Sequence, residues 1–167
     1  MPYATDLSRP QKATPPDDAR DWRRMAERVK RDHGMMRALL DDVERACRSV
    51  EERRPESLVR FREAAWTLYV AFDEHLATEE GYFAPILRTV DAWGELRVVN
   101  MIVEHNEQRR IILELVERAE SSGDDLAALV TQARGLVTSF RLDMESEEHS
   151  MDEQGLVPSV LADQEDG

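Results

Sequence analysis

The chain has 167 residues, enough for one domain with a real hydrophobic core. Its net charge of −13 argues against binding a nucleic acid, whose phosphates need a basic surface. The single cysteine, Cys47, excludes an intramolecular disulfide and a thiolate metal cluster. With no apolar run of about 18 residues and no basic-then-apolar leader, neither a membrane span nor secretion is expected, and the cytoplasm is the default location.

Charged residues make up 34% of the chain and aromatics 6%, and most glycines and prolines fall outside the periodic segments, which fits an all-α protein. Residues 1–16 are rich in Pro, Ser and Thr without a period and read as an N-terminal arm. Asp17 or Asp18 then caps a helix expected to run to about Val50. Its apolar stripe is Trp22, Met25, Val29, His33, Met36, Leu40, Val43, Cys47 and Val50. Gly34, mid-helix, either admits a close neighbour or is simply tolerated. After a charged turn, Pro55 suits the first position of a second helix, expected to run to about Arg88. Its stripe is Leu58, Phe61, Ala65, Leu68, Phe72, His75, Glu79, Tyr82 and Ile86, with steps alternating 3 and 4 as in a helical bundle. A third helix over roughly Glu95 to Ser121 turns Val98, Ile102, His105, Ile112 and Val116 inward. Ser121-Ser-Gly-Asp-Asp125 is a stop and restart. The fourth helix, from near Asp124, carries Leu126, Leu129, Val130, Ala133, Val137, Phe140 and Met144 inward. Short links make neighbours antiparallel, so the expected fold is an up-down-up-down four-helix bundle over 17–161, followed by an acidic tail, 162–167.

His75 and Glu79 lie one above the other in the second stripe. Burying a carboxylate there costs several kcal/mol unless a partner compensates, and that partner is either neighbouring side chains or a metal ion. Each expected helix carries one of the four histidines, and two are followed by Glu at i+4: His75/Glu79 and His149/Glu153. If the histidines share a layer, each turn falls near the midpoint of the pair it separates. The midpoints of 33/75, 75/105 and 105/149 are 54, 90 and 127; the first two fall in turns, and the third lies a few residues late. At about 100° per residue, His149 also lies nearly opposite Phe140. Both anomalies vanish if helix four is broken or bulged between about Ser139 and Glu145, a hypothesis that an unbroken helix with His149 outward would defeat, and with it the four-histidine site. Four imidazoles and two carboxylates meeting in a bundle core suit one or two first-row transition ions. A ferritin-like site would need Glu three before His, where Lys30, Phe72, Ile102 and Ser146 stand. Neither HExxH nor a Gly-rich phosphate loop is present.

From about residue 20 to 160 the chain resembles the hemerythrin-like, HHE cation-binding family. Asp32-His33, EHLATEEGYFAPIL (74–87), VEHNEQRRIILELVE (103–117) and EEHSMDEQGLVPSVL (147–161) carry the resemblance. It implies a non-haem di-iron centre: two Fe ions held by His33, His75, Glu79, His105, His149 and Glu153, with an oxo or hydroxo bridge. The oxygen carriers of this family have HxxxH in helix three and HxxxxD in helix four. Here Met101 stands four before His105, and Gln154 stands where the Asp would be. This variant looks like members that sense iron or oxygen, or that handle peroxide or nitric oxide. The expected ligand is therefore a diatomic or a peroxide, turned over by an enzyme or read by a regulatory module without turnover. A metal-free helical interaction protein is the third reading. Tyr82, three past Glu79, is either a phenolate ligand or a core aromatic. Arg109 is either a donor to bound oxygen or a side chain reaching solvent. The acids directly before the histidines (Asp32, Glu74, Glu104 and Glu148) would orient an imidazole only on an adjacent helix.

Overall fold

The computed structural model describes the backbone of residues 19–90, 92–121 and 125–153, and the side chains of 24–88, 92–121 and 125–149. The N-terminal arm, the Asp17/Asp18 cap, Gly123 and the acidic tail lie outside the described residues. Four helices make up the fold: α1 (Ala19–Glu51), α2 (Ser57–Val90), α3 (Gly94–Ser121) and α4 (Leu126–Glu153). They pack as a ring in which α1 touches α2 and α4, and α3 touches α2 and α4; the α3–α4 seam is the loosest. No described helix is long and apolar enough to cross a membrane.

The alternating 3,4 stripes become the core. Every stripe residue of α1 from Met25 to Val50 is buried, as are Phe61, Ala65, Leu68 and Phe72 of α2. α3 adds Ile112, Leu115, Val116 and Ala119, and α4 adds Leu129 through Met144 at helical spacing. Burying each large aliphatic or aromatic side chain contributes roughly 1.5–3 kcal/mol. This cluster fills one half of the bundle, built from the ends of α1 and α3 and the beginnings of α2 and α4.

Local chemistry sets the turns. After α1, Arg54 N–H donates to the Ser49 carbonyl and Arg53 N–H to that of Val50, a Schellman-type close with Arg53 left-handed at φ 51°. Glu56 is also left-handed (φ 60°), and its carbonyl accepts from Arg60 N–H, so α2 begins at Ser57 and Pro55 stays in the turn. Gly94 opens α3 against the end of α2; a Cβ there would lie 1.9 Å from the Leu87 carbonyl oxygen, so only glycine fits. Asp125 caps α4, its Oδ1 accepting from Ala128 N–H at 3.0 Å. Gly34, by contrast, faces open space, with no neighbour that needs its missing Cβ.

The expected break in α4 is not there. The helix runs unbroken through Ser139–Glu145 with Phe140 and Met144 buried, and the same regular winding carries His149 to the exposed face.

Candidate metal centre

The other half of the bundle holds a buried polar cluster. His33 (α1), His75 and Glu79 (α2) and His105 (α3) are 0–6% exposed, in positions their stripes would otherwise fill with apolar side chains. Stacked Phe72 and Phe140, with centroids 4.3 Å apart, lie next to it, and Phe72 meets the His75 ring edge-on. The Glu79 carboxylate is the hub. Its Oε1 lies 3.5 Å from His75 Nε2 and 3.9 Å from His33 Nε2, while its Oε2 lies 3.6 Å from His105 Nε2. From α4, Glu147 brings Oε2 to 3.2 Å from His33 Nε2. One donor atom from each of His33, His75, Glu79 and Glu147 falls within 4.8 Å of the other three.

Two of the imidazoles are held from behind in the same way. His33 Nδ1 lies 3.0 Å from Glu148 Oε1, which also accepts from Arg37 at 2.9 Å. His105 Nδ1 lies 3.1 Å from Glu80 Oε1, which accepts from Arg109 at 2.6 Å; Arg109 also donates to Asp73. In each chain the arginine sits one turn after its histidine, so both reach the same carboxylate. A carboxylate at Nδ1 holds the proton there and leaves Nε2 as a lone pair pointing at the cluster. The Arg37 hydrogen bond holds the Glu148 carboxyl below its usual range against partial burial. His75 has no such support among the described residues, and its Nδ1 is buried without a hydrogen-bond partner.

The unsatisfied atoms mark what the cluster could hold. His33 Nε2 and Glu79 Oε1 are also buried without hydrogen bonds, although both lie close to polar neighbours. Their placement against those neighbours does not give hydrogen-bond geometry. Burial, then the neighbouring charges of Glu147, Asp32 and Glu80, pushes the Glu79 carboxyl up to about 9. Burial, then the nearby His33, pushes His75 down to about 4, so its ring is neutral. Converging imidazoles and carboxylates with unsatisfied buried atoms form a donor set that fits a cation of the first transition row.

The expected residues thus divide. His33, His75 and Glu79 come together, with His105 3.6 Å from Glu79, and His149 stays on the surface; the side chain of Glu153 is not described. Tyr82 is half-buried beside Arg28, whose guanidinium lies 5.8 Å from the ring centroid. Met101 is half-buried, and Arg109 holds Glu80 and Asp73 instead of reaching toward a ligand at the cluster. Of the acids preceding a histidine, Glu148 does serve a histidine on an adjacent helix. Glu80, Glu147 and Arg37 are additional. Their signal in the sequence is a pair of HxxxR repeats, His33/Arg37 and His105/Arg109, matched by the doubled acids Glu79-Glu80 and Glu147-Glu148.

A family model described as the hemerythrin HHE cation binding domain matches residues 24–152. No curated protein and no solved structure matches the chain significantly.

Proposed function

The chain belongs to the hemerythrin HHE cation-binding domain family, and on that premise we propose that it holds a pair of iron ions and binds or turns over a small ligand (dioxygen, nitric oxide or a peroxide) there. The observation that carries the reading is the Glu79 carboxylate: one oxygen lies 3.5–3.9 Å from His75 and His33 and the other 3.6 Å from His105, so these residues could together hold two ions. Iron at such a site supplies redox chemistry and Lewis acidity to a diatomic or peroxide. The residues of the chain do the rest: Glu148 and Glu80 fix two imidazoles, and the Phe72/Phe140 stack of the apolar core packs against the His75 ring.

α4 supplies a further donor. Glu147 holds that place in the structure. The family resemblance implies His149 and Glu153 in that place instead, while the unbroken α4 carries His149 exposed. Iron stoichiometry after anaerobic loading separates them: loss in Glu147→Gln alone supports the first, and loss in His149→Ala alone supports the second. Equal retention by both variants would remove α4 from the site.

The reading divides into an enzyme and an iron- or oxygen-sensing module. Steady turnover of hydrogen peroxide by the loaded protein marks the enzyme. A large metal-dependent rise in melting temperature without turnover marks the sensor, because metal bound only by the folded chain stabilises it. No iron uptake at all would overturn both.

A further inference from the structure

A cleft of about 550 Å³ runs between α1 and α2, with His75 in its lining. Its walls include Met36, Leu39 and Ala71, and Asp32 and Glu74 lie among its polar lining. His75 turns Nε2 inward to Glu79, which does not line the cleft. Its other ring nitrogen, Nδ1, is buried and unpartnered on a side chain 6% exposed. His33 and His105 have this nitrogen closed off by Glu148 and Glu80. The asymmetry therefore coincides with the cavity: of the three clustered imidazoles, the one without a carboxylate behind it is the one that lines the cleft.

We propose that the α1/α2 cleft is the entry port of the metal centre and that Nδ1 of His75 makes the last hydrogen bond to an incoming small, uncharged molecule. The inference rests on the metal reading above and deepens it. Apolar walls offer an ion no compensation for lost hydration. Two carboxylates in the lining disfavour anions further, with Arg28 drawn to Asp32 at 3.8 Å and to the Tyr82 ring. A neutral molecule with hydrogen-bonding capacity, of the size of hydrogen peroxide or nitric oxide, meets neither barrier and finds His75 in the lining.

Filling the cleft from its exposed rim tests the port. Ala38→Phe and Met35→Trp both alter α1 residues that line the cleft and are exposed, so the core is untouched. In the metal-free protein, diethyl pyrocarbonate, a small neutral electrophile, acylates an accessible imidazole, and peptide mapping locates the product. His75 is expected to react ahead of His33 and His105, and the filled variants are expected to slow it about tenfold or more at unchanged melting temperature. In iron-loaded protein, nitric oxide association is expected to slow by a similar factor at unchanged iron content. Unaltered acylation of His75 in two folded, filled variants would overturn the port, whatever the metal content. So would unaltered nitric oxide association in filled, iron-loaded protein. If the chain takes up no iron, the metal reading falls on its own, and the acylation rates still decide whether the cleft leads to His75.

Discussion

The two halves of the bundle use one stripe pattern for opposite ends. Toward the α1–α2 turn, the inward positions are Leu40, Val43, Cys47, Phe61, Leu115 and Leu129, all fully buried and apolar. Cys47 behaves there as a small hydrophobe, its thiol pushed up to about 11 first of all by burial. Toward the other end the same stripes deliver His33, His75, Glu79 and His105, with buried atoms that nothing satisfies. The first half drives folding. The second is held against its own preference and keeps a binding geometry ready.

The comparison breaks most visibly under a cavity mutation. Phe61→Ala should cost about 3–5 kcal/mol in urea unfolding, with or without metal, because the lost contacts lie away from the cluster. Glu79→Gln should do the reverse: the metal-free protein gains about 1–3 kcal/mol at pH 8, having no buried carboxyl to hold protonated, and metal retention is lost. A Glu79→Gln protein less stable than the metal-free parent would mean that the carboxylate is satisfied after all.

The two imidazole supports sharpen the contrast. Glu80→Gln and Glu148→Gln should each weaken metal affinity about 10–100-fold in competition titrations while leaving the fold intact. An unchanged affinity would reduce them to surface ion pairs.

A smaller effect is pH dependence. Between its ordinary 4.5 and about 9, Glu79 keeps its proton in the folded chain and loses it in the unfolded one, so stability falls as pH rises. His75, lowered from 6.5 to about 4, gives the opposite slope, and the two offset each other between 4.5 and 6.5. Above 6.5 only Glu79 remains. The metal-free protein should lose stability from pH 6.5 toward 9 in urea melts, and metal loading should release about one proton per chain near pH 8 and flatten that decline.

Much of this was legible in the sequence because spacing alone determines which side chains share a face. The α1 and α2 stripes placed His33, His75 and Glu79 in the interior, and the α3 stripe placed His105 there. Helix phase also set His149 apart from Phe140 and Met144, and that is where the structure has it. The expected break in α4 came from requiring all four histidines to meet, and regular winding prevailed. Glu80, Glu147 and Glu148 were harder to assign, because in a chain with 35 acids a carboxylate's partner depends on the helix it faces, not on its own neighbours. The start of α2 was misplaced at Pro55 because two left-handed residues, Arg53 and Glu56, extend the turn, and neither is a residue type that announces that backbone.

The most direct test of the central claim is iron content. Metal-free wild-type and Glu79→Gln protein would be loaded anaerobically with Fe(II), freed of excess, and counted by elemental mass spectrometry. About two irons per wild-type chain and almost none in the folded variant would bear out a Glu79-centred pair. No iron in the wild type, or the same iron in both, would contradict it.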